Sequence, residues 1–228
     1  MTTSGTATFN LDLADIVQDA YERIGIDPNS GYQFASARRS LSLILNDWSN
    51  RGIKVWTVDE GTVSVTSGTS DYTLPADTVD LIEHKLRTGT GTSQFDYSLG
   101  RIGVSDYSSI TNKNQTGRPT QIYIDRQVGS TTATLWPVPD TSYTLVYWRL
   151  RRIEDPGSPA SNTADVLPRY LTALIAALAA DLAEKNPGKV DLQRAVALAA
   201  KAEQKLMEAG ISDRSRSPLK VSPRKYGR

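Results

Sequence analysis

Apolar residues open this chain at helical spacing. Leu13, Ile16, Val17, Ala20, Tyr21 and Ile24 fall at i, i+3, i+4, i+7, i+8 and i+11, one stripe of an amphipathic helix. Asn10 is placed to cap it, and Gly25 to end it in the left-handed conformation. Phe34, Ala37, Leu41, Ile44, Leu45 and Trp48 repeat the pattern, with Gly52 as the stop. The short Asp27-Pro28-Asn29-Ser30 link predicts a nearly antiparallel pair.

The period then changes from 3.6 to 2. Val55 to Val58, Thr62 to Thr66, Tyr72 to Leu74 and Val79 to Leu86 are short and rich in Val, Thr and Tyr, which predicts strands. Arg87 to Ser93 reads as a Gly/Thr loop, and Gly103 to Ile110 as one or two helical turns. Gln121 to Asp125, Thr132 to Trp136 and Tyr143 to Arg149 predict three further strands. Turns at 128–130 and 137–140 separate them. This spacing points to a small sandwich or open barrel.

Helical spacing returns after a Pro/Gly/Ser connector. Leu167, Leu171, Leu174, Ile175, Leu178 and Leu182 form one stripe, with Pro168 suited to the first turn and Asn186-Pro187-Gly188 as the break. Asp191 is placed to cap a last helix that turns Leu192, Ala195, Val196, Ala199 and Leu206 inward and ends at Gly210. The predicted fold is α+β. Residues 1–53 and 156–210 supply helix pairs of one bundle, 54–155 an inserted antiparallel β-sandwich or barrel, and 211–228 an extended tail.

Charge changes the picture at that tail. Arg214, Arg216, Lys220, Arg224, Lys225 and Arg228 stand in fifteen residues without an acid. The chain has 26 Lys+Arg and 25 Asp+Glu, so removing these six leaves 20 basic residues against 25 acidic ones, a net of about −5 for residues 1–213. A cationic Ser/Pro segment with so little apolar surface is expected to be disordered alone and to order on a partner. These six residues and Tyr226 are therefore the predicted partner-binding set.

Candidate chemistry is sparse. There are no cysteines and one histidine, His84, so no cysteine-ligated metal and no paired His site is expected. A Ser-His-Asp triad would need His84, and no Gly-x-Ser-x-Gly elbow or phosphate-binding Gly-x4-Gly-Lys-Ser/Thr loop is written in the chain. Asp59-Glu60, and Asp12, Asp15 and Asp19, are the candidate carboxylate groupings for glycoside hydrolysis, and neither comes with an aromatic pocket motif. No enzyme and no cofactor is predicted. The polar Met1 to Asn10 segment predicts no signal peptide, and Tyr170 to Ala180 is too short to span a bilayer.

The strand tryptophans Trp56, Trp136 and Trp148 read first as cross-strand packing and second as a subunit interface. For Arg149, Arg151 and Arg152 at the exit of the last strand, and for Arg38 and Arg39 on the second helix, the choice is a solvated edge or a contact with a neighbouring subunit's acids, and these five are the predicted subunit-interface residues.

Three motifs in order carry a family likeness. They are Tyr72-Thr73-Leu74-Pro75-Ala76-Asp77, Gly117-Arg118-Pro119-Thr120, and Leu135-Trp136-Pro137-Val138-Pro139-Asp140 ahead of Tyr143 and Tyr147. Inside a helix–β–helix frame, over roughly residues 10–210, this order resembles the head-to-tail adaptors of tailed bacteriophages, also called connector proteins or tail accessory factors. The resemblance implies a homo-oligomeric ring, usually twelve-fold, at the head–tail junction of the virion. It implies a portal protein on one side, a tail or tail-tube protein on the other, and DNA passing through without sequence-specific binding. It also implies a C-terminal extension that reaches the portal. The alternative function left open by the tail is a nucleic-acid-binding module.

Overall fold

The computed structural model describes residues 5, 11–28, 30–53, 55–158 and 160–212. It is α+β, and the chain divides into two compact units, residues 1–44 with 155–228, and residues 45–154.

The first unit is helical. Helix α1 (Leu13–Ile24) buries all six residues of its predicted stripe. Asn10 lies outside the described residues, and Asp12 is the N-cap, its Oδ1 accepting from the Asp15 N–H at 2.8 Å. Two more free N–H groups of the first turn, on Leu13 and Ala14, donate to the Asn162 and Ala160 carbonyls. Gly25 ends the helix at φ 74°, where a side chain would be strained.

Helix α2 (Gly31–Asn50) opens on a capping box that the sequence spells as Ser30-x-x-Gln33. The Gln33 N–H donates to Ser30 Oγ, and the Ser30 N–H donates back to Gln33 Oε1. The buried Tyr21 hydroxyl of α1 donates to the Gln33 carbonyl at 3.1 Å and ties the start of α2 to α1.

Helix α4 (Pro168–Lys185) is central to this unit. Tyr170, Ala173, Leu174, Ile175, Ala176, Leu178, Ala179, Leu182 and Ala183 are buried, more than one stripe can account for, because α1 and α5 (Leu192–Ser212) pack on different sides of it. Its alanines let those neighbours approach closely. Asp191 begins α5 as predicted, its Oδ2 accepting from the Gln193 N–H. The helix runs two residues past Gly210, to Ser212.

The inward face of α5 is a correction. Ala202 and Ala209 are buried and Ala195, Leu198 and Leu206 partly so, while Leu192, Val196 and Ala199, all expected inside, are exposed, the first two at 77% and 62%. The physical reason is the alanine-rich partner: α5 sits close to α4 on its own small residues, and its larger apolar residues fall to the side of that contact.

The second unit is β-rich. Its strands are β1 (Val58–Val65), β2 (Asp71–Thr73), β3 (Thr78–Thr88), β4 (Phe95–Ser98), β5 (Gly100–Ile102), β6 (Thr116–Gly117), β7 (Gln121–Gln127), β8 (Ser130–Trp136), β9 (Val138–Pro139) and β10 (Tyr143–Arg151). A two-turn helix, α3 (Val104–Ser109), lies between β5 and β6. One sheet has the order β1-β10-β3-β4, a second β2-β8-β7-β5, and β6 pairs with β9. Val65, Leu81, Leu86, Leu145 and Tyr147 of the first sheet share one buried cluster with Tyr72, Ile122, Ala133 and Leu135 of the second.

Three local readings change. Val55 to Thr57 form a 3-10 turn, and the strand predicted there starts only at Val58. It then continues unbroken through Gly61, because β10 pairs with it residue for residue from Leu150 to Tyr143. The predicted loop at 87–93 is shorter, since Arg87 and Thr88 still pair with Asp96 and Phe95 of β4.

Gly61 explains its own place in β1. A Cβ built there would lie 2.6 Å from two ring carbons of Tyr147, its cross-strand partner, whose ring is 3% exposed. Gly61→Ala must push that ring out of the core. We expect a loss of about 1–3 kcal/mol, the usual range for overpacking. Tyr147→Phe should cost far less, and denaturant unfolding followed by tryptophan fluorescence distinguishes them.

Candidate functional site

The motifs that carried the family likeness meet at one corner of the β unit. The Tyr72 hydroxyl donates to the Thr69 carbonyl at 2.7 Å, and accepts from the Thr66 N–H. Val138 and Pro139 form β9, which lies parallel to Thr116 and Gly117, and a Cβ on Gly117 would touch the Pro137 ring. The Trp136–Pro137 peptide bond is cis. The Gly68 N–H donates to the Pro139 carbonyl, Ser67 Oγ to the Asp140 carbonyl, and the Tyr143 hydroxyl to Asp140 Oδ1 at 2.7 Å. Burial, together with that bond to the Asp140 carboxylate, pushes the Tyr143 phenol up to about 12. The motifs are a brace between turn and strand. They hold its shape.

A second grouping sits at the exit of β10. Arg149, only 14% exposed, is held by Asp77 and by Thr78 Oγ1, and reaches Asp59 at 3.5 Å. Arg151 pairs with the same Asp59 at 3.1 Å and donates to the Trp56 carbonyl. The Arg152 N–H donates to the Asp77 carbonyl, while its side chain is exposed. Arg149 and Arg151 thus have partners within their own unit. In the helical unit, Arg38 donates to the Gly157 carbonyl at 3.3 Å, and Arg39 is exposed.

The hydrogen bond from Arg149 holds the Asp77 carboxyl below its ordinary range. A lowered carboxylate pKa stabilises the fold above the unfolded value, about 4, and that contribution fades as pH falls through the folded value. Arg149→Met is expected to cost about 1–2 kcal/mol near neutrality, modest because both acids remain partly solvated. The acid limb of its stability–pH profile should be shallower than that of the parent chain, measured by urea unfolding between pH 3 and 7.

His84 sits on β3 opposite Tyr147. Burial pushes its pKa down, and among the described residues Nδ1 has no hydrogen-bond partner. Asp59, of the first carboxylate grouping, is committed to two arginines, and in the second Asp12 caps α1 while Asp19 pairs with Arg23 at 2.9 Å. Among the described residues no three His, Cys, Asp or Glu side chains gather in a metal-binding group, and no helix is long and apolar enough to cross a membrane.

The surfaces are more informative than the interior. Trp148 is 45% exposed on the outer face of the first sheet, with Glu60 and Glu83 as its cross-strand neighbours. Trp136, by contrast, donates its indole N–H to the Asn112 carbonyl at 3.1 Å. Phe95 and Tyr97 stand out on β4, with the Arg118 guanidinium 4.4 Å over the Tyr97 ring. Helix α5 exposes Leu192, Val196, Met207 and Ile211. The sequence reading missed this last surface; the signal was a second apolar stripe on α5 beside the alanine one. Arg214, Arg216, Lys220, Arg224, Lys225, Tyr226 and Arg228 lie outside the described residues.

The chain is α+β, with a braced β unit and exposed apolar and aromatic side chains. Its sequence matches the SU10 adaptor protein family over residues 7–222, nearly the whole chain, and the chain belongs to that family of phage head–tail adaptors. No curated protein matches it.

Proposed function

We propose that the chain forms a ring beneath the portal of a tailed phage, joins capsid to tail and lets DNA pass. The family match across residues 7–222 carries this reading. In it the terminal helix pairs make one bundle and the insert a two-sheet sandwich. The copies number twelve in the assembled virion, and the chain makes and breaks no covalent bonds. The basic residues 214–228 are the strap that docks on the portal, and the exposed Arg39 and Arg152 are available to a neighbouring copy. The net charge of about −5 on residues 1–213 supports the DNA-passing role, because a wall that repels phosphate does not grip a moving duplex.

Co-sedimentation with portal rings of the parent phage tests this. The chain should pellet with portal rings and stay in solution without them. Failure to bind portal rings at micromolar concentration contradicts the proposal.

The six cations of the tail favour a second reading, direct DNA binding. Six phosphate contacts would give a log–log salt slope of about −4 to −5. A salt titration with duplex DNA decides it; no affinity even at low salt removes this alternative.

A further inference from the structure

We propose that His84 is an acid-sensitive latch in the β unit: taking up a proton on its buried ring nitrogen loosens the hold of β5 on β3. The device lies between the chain's own two sheets and does not depend on the ring.

His84 is the chain's one histidine. It pairs with the buried Tyr147 of β10 and stands two residues before the fully buried Leu86, so it belongs to the core face of the first sheet. Its Nδ1 is sealed from solvent and has no hydrogen-bond partner among the described residues. In a neutral ring that leaves one unpaired acceptor. In a protonated ring it would leave a buried, unpaired cationic donor, which costs far more.

The same strand carries ties to the second sheet. Arg101 of β5 donates to the Leu81 carbonyl at 3.0 Å and to Asp80 Oδ1 at 2.8 Å. Arg126 of β7 reaches Asp80 Oδ2 at 3.3 Å, and the Thr131 hydroxyl of β8 donates to the Thr78 carbonyl at 2.9 Å. β5 is a three-residue strand at the edge of its sheet, paired only to β7. Its grip on β3 runs through Arg101, and Arg101 is the cation that opposes a charge on His84.

The remaining charges do not offset this. Asp80 and Glu83 on β3 favour the protonated ring, but Asp80 is shared between two arginines and Glu83 is exposed, paired with Trp148 on the outer face. Lys85 is exposed on the same strand. On β10, burial raises the Tyr147 pKa and keeps the phenol neutral, and Arg149 is held by Asp77. Asp96 of β4 is taken by Arg87, Asp125 of β7 accepts from Gln127, and β8 carries no charge.

The sign follows. Unfolded, His84 titrates near its ordinary 6.5; folded, burial pushes it lower. Below about 6.5 the unfolded chain binds the proton more readily than the folded one. Stability of the β unit therefore falls as pH drops through that value, and the loss stops growing below the folded pKa.

One imidazole gives one Cε1–H resonance, so NMR on the full-length chain reads the titration directly. The midpoint should lie below 6.5; a midpoint at or above 6.5 would show the cation accommodated and overturn the proposal. Hydrogen exchange of residues 100–102, corrected for intrinsic rates, should show protection at pH 5.0 at least about threefold below that at pH 7.5. In the parent chain this loss should follow the imidazole midpoint, a check that needs no variant; a loss at a different pH, or none, contradicts the latch. His84→Gln should keep β5 protected at both pH values, and equal loss in that variant would also contradict it. By tryptophan fluorescence, the urea-unfolding constant should rise from pH 7.5 to 5.0 several-fold more in the parent than in H84Q. The ceiling is about thirtyfold, the factor for a group at 6.5 that stays neutral in the fold. Equal rises in the two chains would overturn the proposal.

Discussion

Removing residues 213–228 is expected to weaken capture of the chain by portal rings by at least about tenfold, with the fold unchanged. The deleted segment holds six cations, and charge-assisted contacts to carboxylates are worth on the order of 1.5–3 kcal/mol each when formed. Even one such contact kept at equilibrium accounts for a tenfold change. The effect is larger on a ring, where the arms act together. The same attraction is screened by salt, so capture of the full chain should fall between 50 and 500 mM NaCl more steeply than capture of the truncated one. Surface plasmon resonance on immobilised portal rings measures both. Equal affinity of the two chains would remove the tail from the mechanism. A chain with all six cations changed to glutamine separates charge from length.

Leu174→Ala is expected to destabilise the helical unit by about 3–4 kcal/mol. Leu174 is fully buried on α4, the helix on which α1 and α5 both pack. Truncation removes buried methyl groups and leaves a cavity that three close-packed helices cannot readily fill. Leu171→Ala, at a half-buried position on the same helix, should cost markedly less. Urea unfolding followed at 222 nm reads this unit. Trp56, Trp136 and Trp148 lie in the β-rich unit and Trp48 at the end of α2, so fluorescence reports mainly the other unit. A loss below about 1 kcal/mol for Leu174→Ala would contradict the central placing of α4.

The helices were legible because their signals are local. The stripe of α1, the glycine stop after it and the proline start of α4 each follow from a few adjacent residues, and all are observed. The face of α5 was not legible, because it carries two stripes and alanine is compatible with either side. Only the close approach to α4 chooses between them. In the β unit the long strands could be read from their Val, Thr and Tyr runs. The short β4, β5, β6 and β9 could not, since two to four residues carry no period, and their pairing is set by distant partners. The Trp148 surface was half legible: aromatics at strand spacing were seen, but which of them faces solvent depends on the register of β10 against β1 and β3.

The motif corner shows why a family likeness could be read before any function. Tyr72 and Tyr143 each brace their own turn, and the two turns are joined by the Gly68 N–H on the Pro139 carbonyl and Ser67 Oγ on the Asp140 carbonyl, with Gly117 beside Pro139. Such a brace constrains residue type strongly and says nothing about partners. The arginines at 149 and 151 illustrate the converse. They stand at a strand exit, and both pair with acids of their own unit.

Native mass spectrometry of portal rings after incubation with the full-length chain addresses adaptor function head-on. The account predicts a discrete complex heavier than the bare portal by a fixed whole number of 24.9 kDa chains, twelve in the proposed ring. A portal ring that keeps its own mass, or gains chains in a broad unsaturated series, would contradict it.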